Sequence, residues 1–328
     1  MRRMPANLTP DYERAEQRYR AASTDEQRLE ALRDMFATIP KHKGTEKLQA
    51  DIKRRISQLR KAIARRPARG TDLFHVPRGG AGQVVLVGPP NTGKSLIVAR
   101  TTHAPVKVAD YPFATPLPVP GMAQYQDVQI ELVDTPPVTA DHIPGGLLGT
   151  IRNSDIIAIV VDAAADPLEQ TEMVTSLLAG RGLILRSVPL NQLDPVDVNQ
   201  HCAILVANKI DLAPQQTVAT LQELYAGKLE LLPVSAATGE GLDRLLERCW
   251  QLLSLVRVYT KQPGKPVDKT RPFTLEIGST VEDLAREIHQ ELPRKMTFAR
   301  IWGDGRFAGQ QVHRTEVLHD RDIVEIHQ

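Results

Sequence analysis

From residue 84 onward, short apolar runs alternate with segments whose apolar residues recur every three or four positions, and this alternation sets the expected architecture. Runs at 84–87, 128–133, 156–161, 203–206 and 229–234 predict five strands, apolar almost throughout and so covered on both faces. With helices between them they predict an α/β fold, a doubly wound, mostly parallel sheet closed by an amphipathic helix at 241–256. Upstream, three helices are expected: Thr9-Pro10 starts one, Thr24 to Gln27 reads as a capping box for a second, and Gly44-Thr45 precedes a third. Leu48, Ile52, Ile56, Leu59 and Ile63 share one face of the third, and Leu29, Leu32, Met35 and Phe36 of the second match it. The pair predicts a small antiparallel helical hairpin. At the other end, a strand at 273–277, a helix at 280–291 capped by Thr280, and strands at 299–302 and 323–326 suggest a β-grasp-like module. Stretches at 65–82 and 262–266, rich in Gly and Pro, read as linkers. The expected domains are a basic helical arm at 1–66, a linker at 67–82, the α/β domain at 83–260 and the small module at 261–328.

Charge changes this picture by dividing the chain. Residues 1–70 carry 18 Lys and Arg against 9 Asp and Glu, a net +9 that leaves −7 for the rest of a chain whose total is only +2. A basic arm on an acidic body suits a polyanion such as RNA, and suits a solvated helical surface equally well. The 328 residues hold two cysteines, Cys202 and Cys249, both in apolar stretches. With a polar, basic start and no apolar run longer than a few residues, the expected setting is cytoplasmic, with no membrane segment.

Gly88-Pro89-Pro90-Asn91-Thr92-Gly93-Lys94-Ser95 fits G-x-x-x-x-G-K-[ST], and it joins an expected strand to an expected helix. In that context Gly88 and Gly93 let the backbone curl, and the amides from Asn91 and Thr92 onward face phosphate oxygens. Lys94 reaches the β and γ oxygens and Ser95 ligates Mg²⁺. Pro89 and Pro90 have no N–H to offer. Asn208-Lys209-Ile210-Asp211 ends another strand. A carboxylate at Asp211 can accept from both N1–H and the N2 amino group of guanine, which adenine cannot match, so the expected ligand is GTP/GDP. Ser235-Ala236 is placed to add a backbone N–H to the guanine O6.

These motifs, with Asp110 to Thr115 and Asp134-Thr135-Pro136, resemble the Obg-related GTPases. The outer segments Ile39 to Gln49 and Arg257 to Gly264 are similar to the developmentally regulated GTP-binding (DRG) proteins. That resemblance implies a P-loop G domain and a TGS domain at the C-terminus. It implies a magnesium site of Ser95, Thr115 and Asp134, and a ribosome- or RNA-associated GTPase switch with a possible protein partner. Three departures stand out. Pro137 replaces the glycine whose N–H contacts the γ-phosphate. Val138 sits where Ras-like enzymes carry a water-orienting glutamine; a hydrophobic residue there is normal for the resembled superfamily, so hydrolysis is expected to be slow and to be helped by another group. Asn91 occupies a position that in related GTPases ligates K⁺, which makes Lys94, Thr115 and Asn91 the expected catalytic set. The third departure is one of size: between Asp162 and Asn208 there is room only for a helix and an irregular stretch, so the family's inserted domain is reduced or absent. A nucleotide-dependent binding module with negligible hydrolysis is the alternative.

In the small module, the spacing of Phe298, Trp302 and Phe307 predicts core packing over base stacking. Arg294, Lys295, Arg300 and Arg306 form a modest basic cluster. The histidines lack metal-ligand spacing.

Overall fold

The computed structural model describes residues 10–21, 25–39, 45–65, 73–102, 117–140 and 142–327, and these form two compact units. The first holds α1 (Pro10–Ala21), α2 (Asp25–Thr38) and α3 (Glu46–Arg65) with residues 194–198. Leu32 and Met35 of α2 meet Ile52 and Ile56 of α3, as their stripes require. Tyr12 and Ala15 of α1 are buried in the same core, and Arg18 of α1 pairs with Asp34 of α2 at 2.9 Å. The expected two-helix hairpin is therefore a three-helix unit. The α1 stripe escaped notice because a tyrosine and an alanine make it, among charged neighbours. Thr9, Thr24 and Gly44 lie outside the described residues.

The second unit opens with β1 (Gln83–Val87), α4 (Lys94–Thr101), β2 (Val119–Tyr125), β3 (Val128–Asp134), α5 (Leu147–Asn153) and β4 (Ile156–Asp162). It continues through α6 (Pro167–Ala179), β5 (Ile184–Arg186), β6 (Gln200–Asn208), α7 (Gln215–Tyr225), β7 (Leu231–Pro233) and α8 (Leu242–Leu253). The strands run in the order β2-β3-β1-β4-β6-β5, with β7 also paired to β6, and every pairing is parallel except β2 with β3. Alternation along β1 explains the two-sided core. Val84 and Leu86 pack with α4 and α8, while Val85 and Val87 pack with α5, α6 and α7. Edge strand β2 was not legible in the sequence, since it carries Pro120 and Gly121, residues tolerated where a strand has one neighbour. Cys202 and Cys249 share one core, and burial pushes both thiols up to about 12, so they act as inert apolar groups. No helix among the described residues is long and apolar enough to cross a membrane.

A second sheet follows, built from β8 (Leu255–Lys261), β9 (Val267–Glu276), β10 (Phe298–Trp302), β11 (Gln310–Val312) and β12 (Asp322–His327), in the order β11-β10-β12-β8-β9. Between β9 and β10 come α9 (Val281–Ile288) and α10 (Leu292–Lys295). Thr280 caps α9 through a reciprocal capping box with Asp283. β8 and β9 pair antiparallel, so residues 262–266, expected as a linker, are the loop of a hairpin. One face of this sheet is covered: Val258, Leu275, Ile301 and Val324 pack with Leu284 and Ala285 of α9. The expectation that Phe298, Trp302 and Phe307 join this core is not met. None of them is in it, and Phe307 is 84% exposed. In β10 the core face belongs to Ala299 and Ile301, and period-two alternation sends Phe298, Arg300 and Trp302 to the other side.

Arg257 joins the two sheets. Its side chain is 5% exposed and donates to Asp320 of the C-terminal module at 2.6 and 3.0 Å. It also donates to Gln126 and Asp127, at the tip of the β2–β3 hairpin, at 2.5 and 2.9 Å. Tyr259 donates its hydroxyl to the same Asp127. Burial alone would raise the Asp127 carboxyl, but Tyr259 and Arg257 hold it below the usual range.

Candidate functional site

The loop between β1 and α4 is shaped by backbone clearance. A Cβ on Gly88 would lie 2.2 Å from the Val160 carbonyl oxygen, and one on Gly93, at φ 88°, would lie 2.2 Å from Asn208 Nδ2. Asn91 takes the left-handed region at φ 62°, which asparagine tolerates, and it is exposed. The loop wraps around the Lys94 ammonium, which donates to the carbonyls of Gly88 at 3.0 Å and Pro89 at 2.8 Å. Pro89, which has no N–H, thus still contributes an acceptor. Burial pushes the Lys94 amine down to about 8, with the negative Asp134 opposing. A cation held in a collar of carbonyls at a helix N-terminus is suited to phosphate oxygens, which would favour its charged form.

Asp134 ends β3 fully buried, and Ser95 donates its hydroxyl to Asp134 Oδ2 at 2.6 Å. A hydroxyl and a carboxylate this close, both hard oxygen donors beside a phosphate loop, suit Mg²⁺, which keeps most of its own water. Thr115, the third expected ligand, lies outside the described residues.

The segment after Asp134 is held in place. Thr135 donates its hydroxyl to Leu86 O at 2.6 Å, Pro136 and Pro137 are buried, and Val138 is fully buried in the core. The Val138 amide donates to Gly88 O at 3.1 Å. Neither position 137, which has no N–H, nor position 138, whose N–H is already used, offers a donor to a γ-phosphate in this arrangement.

Asn208 ends β6 almost fully buried and links two loops: its Nδ2 donates to Thr92 O at 2.8 Å, and its Oδ1 accepts from the Ala236 amide at 3.0 Å. Lys209, at φ 65°, pairs with Asp162 Oδ2 at 2.5 Å. Asp211 is exposed, and Ser235, fully buried, donates its hydroxyl to Asp211 Oδ1 at 2.6 Å. In this arrangement the two amides expected to serve guanine O6 are engaged elsewhere. The Ser235 amide donates to Glu240 O at 2.9 Å and the Ala236 amide to Asn208, so contact with guanine O6 requires Ala236 to exchange that partner. The Ser235 hydroxyl fixes the direction of the Asp211 carboxylate.

The structure therefore brings Gly88, Asn91, Thr92, Gly93, Lys94 and Ser95 together with Asp134 at one end. It links them through Asn208 to Lys209, Asp211, Ser235 and Ala236. Sequence reasoning missed Asp162 and the Thr92 carbonyl. The first had a signal, an acidic residue at the end of an apolar strand, and the second had none.

Residues 83–187 match the model of the 50S ribosome-binding GTPase, and residues 256–328 match that of the TGS domain. An uncharacterized GTP-binding protein of Halobacterium salinarum is 26% identical, over 92% of this chain and 98% of its own length. Developmentally-regulated G-protein 2 of Arabidopsis thaliana is 27% identical, over 92% and 90%. The first alignment runs over 363 positions, more than the 328 residues present here, so that relative carries segments this chain lacks. Among solved structures, an Era variant from Aquifex aeolicus bound to GDP and aluminium fluoride covers 67% of this chain and 71% of its own, at 20% identity and a TM-score of 0.40. The chain thus pairs a P-loop GTPase domain with a TGS domain, and it is similar along most of its length to the developmentally regulated GTP-binding proteins.

Proposed function

We propose that this chain, a GTP-binding protein with a GTPase domain and a TGS domain, is a slow, Mg²⁺-dependent GTPase switch of the cytoplasm that acts on RNA or the ribosome. One observation carries the nucleotide reading. The Asn208 to Thr92 hydrogen bond ties the loop that holds Lys94 to the loop that holds Asp211, so phosphates and base are gripped by a single rigid frame. Lys94 and the first amides of α4 take up charge on the β and γ phosphates, Asp211 reads the guanine edge, and Ser235 keeps Asp211 oriented. When bound between Ser95, Asp134 and Thr115, Mg²⁺ supplies further positive charge at the same oxygens. Water attacks the γ-phosphorus, its bond to the bridging oxygen breaks, and GDP and phosphate leave.

The slowness follows from what surrounds the γ-phosphate. Val138 has no group that orients water, and Pro137 has no N–H. Asn91, exposed on the phosphate loop, is the residue we assign to a K⁺ ion that would make up part of the missing charge. Single-turnover phosphate release with protein in excess tests all of this. The expected result is turnover above that of free GTP, faster in K⁺ than in Na⁺. Equal rates in both salts remove the K⁺ role. A rate no better than buffer leaves the second reading, a nucleotide-dependent binding module, which the docked Val138 favours.

The partner reading rests on the basic arm and on the TGS domain. Co-sedimentation with ribosomes at low and moderate salt is expected to show binding that falls steeply with salt. Binding that ignores salt would argue for a protein partner.

A further inference from the structure

Two adjacent strands of the seven-stranded sheet end side by side, Asp162 of β4 opposite Asn208 of β6. Just past those ends lies a contact that the phosphate and base chemistry set out above does not use. Lys209 is in the left-handed region at φ 65°, a conformation that a lysine keeps only where something outside its own backbone holds it. Asp162 holds it: the ammonium donates to Asp162 Oδ2 at 2.5 Å.

Most ion pairs at a protein surface contribute little, since two mobile side chains must be frozen to form them. This one differs because the carboxylate is fixed by its own loop. The Asp162 side chain is 16% exposed, its Oδ1 accepts from the Ala164 amide at 2.9 Å, and its amide donates to Gln170 Oε1 of α6 at 2.9 Å. Ala163, next in the chain, donates its amide to Asn208 O at 2.8 Å. The end of β4 is therefore a rigid post, and pairing freezes one side chain instead of two.

On the far side of Lys209 the chain turns. The Leu212 amide donates to Lys209 O at 3.0 Å, and Asp211 lies inside that turn. The tie from the turn to the segment after β7, from the Ile210 amide to Val234 O, is long at 3.3 Å. Ser235 aims the Asp211 carboxylate from one side. Asp162, through Lys209, fixes the start of the turn from the other.

We propose that Asp162 is a positioning residue for the guanine base: acting through Lys209, it holds the turn that carries Asp211 and so sets how long a guanine nucleotide stays bound. The proposal rests on Asp211 reading the base, and it adds a residue from a different strand to that recognition.

Release of ribose-labelled fluorescent GDP and IDP from the full chain, followed by stopped flow, provides the test. Inosine lacks the N2 amino group, so Asp211 has one donor to accept from instead of two, and wild type is expected to release IDP about tenfold faster than GDP. Asp162→Asn keeps the size of the side chain and an acceptor for Ala164 but loses the charge. It is expected to speed GDP release about tenfold and IDP release only about threefold, since a badly aimed carboxylate has less to lose on inosine. Lys209→Met, which keeps the apolar stem, is expected to do the same, and the double variant to release GDP no faster than the faster single one. Lys209 is partly exposed, so should Asp162→Asn not fold, the GDP and IDP rates of Lys209→Met decide alone. Unchanged release, or equal acceleration of GDP and IDP, overturns the proposal, the second because a pair that merely supports the fold would loosen both alike. Additive effects in the double variant overturn it too. If wild type releases GDP and IDP at the same rate, the base-reading role of Asp211 falls with it; if wild type discriminates and the variants do not behave as expected, this inference fails alone.

Discussion

The two sheets of the second unit solve the same problem in opposite ways. The seven-stranded sheet is covered by helices on both faces, so its only usable surface is at the carboxyl ends of its strands, where Gly88, Asp134, Asp162 and Asn208 stand. The five-stranded sheet is covered on one face, so its strands themselves present chemistry along their length. The first arrangement yields a site in which nearly every polar group is already tied to another, rigid and selective. The second leaves half-buried rings and one exposed arginine, Arg300, along its open face. What a sheet can do depends on how many of its faces are spent on the core.

The sharpest way to break the first half of this contrast is at Asp211. Asp211→Asn replaces a double acceptor with a group that must offer a donor, and the preference for GTP over ATP, expected at about 10⁴, should collapse. Competition titration measures it, and an unchanged ratio would mean the carboxylate does not read the base. Next comes the link between the sheets. Arg257→Ala leaves Asp127 and Asp320, both partly open to water, without their partner and is expected to cost about 2–3 kcal/mol in chemical denaturation. A loss well under 1 kcal/mol would show that the two sheets do not rely on this clasp.

A smaller effect sharpens the reading of the docked segment after Asp134. Pro137→Gly restores an N–H, and the GTP/GDP affinity ratio is expected to rise about tenfold, the worth of one hydrogen bond to a charged oxygen. No rise would mean that burial of Val138, and not the missing amide, keeps this segment indifferent to the γ-phosphate. The mildest test uses pH. With its amine at about 8 in the free protein, Lys94 loses its proton above that pH unless phosphates are bound, so nucleotide affinity should fall up to about tenfold per pH unit above about 8. Stability should move the other way. Between that value and the ordinary 10.5 the unfolded chain binds more protons, so Lys94 makes the fold gain stability as pH rises. Opposite slopes from the same lysine are the signature, and affinity flat from pH 7 to 9 would contradict it.

Much of the nucleotide site was legible along the chain because its determinants are local. Gly88 to Ser95 must curl at the end of a strand, Asp211 must follow Asn208 by three residues, and Pro137 declares its missing amide by its identity alone. What was not legible involves groups far apart in the chain. Arg257 and Asp127 are 130 residues apart, and Asn208 meets Thr92 across 116. The aromatic residues of β10 were misjudged for a different reason. Period two says that Phe298 and Trp302 share a face and that Ala299 and Ile301 share the other, but with apolar residues on both, nothing local says which face is inside.

By itself, then, the order of residues determined which segments form strands and helices, which loop takes phosphate, and which carboxylate can recognise guanine, since these depend on backbone geometry and side-chain chemistry within a few positions. Only the tertiary structure decided that α1 completes a three-helix unit, that Val138 is docked beneath the phosphate loop, and that Phe298 and Trp302 lie on the face of the second sheet away from its core. Those outcomes depend on which surfaces compete for burial, and that competition is settled by packing among residues distant in the chain.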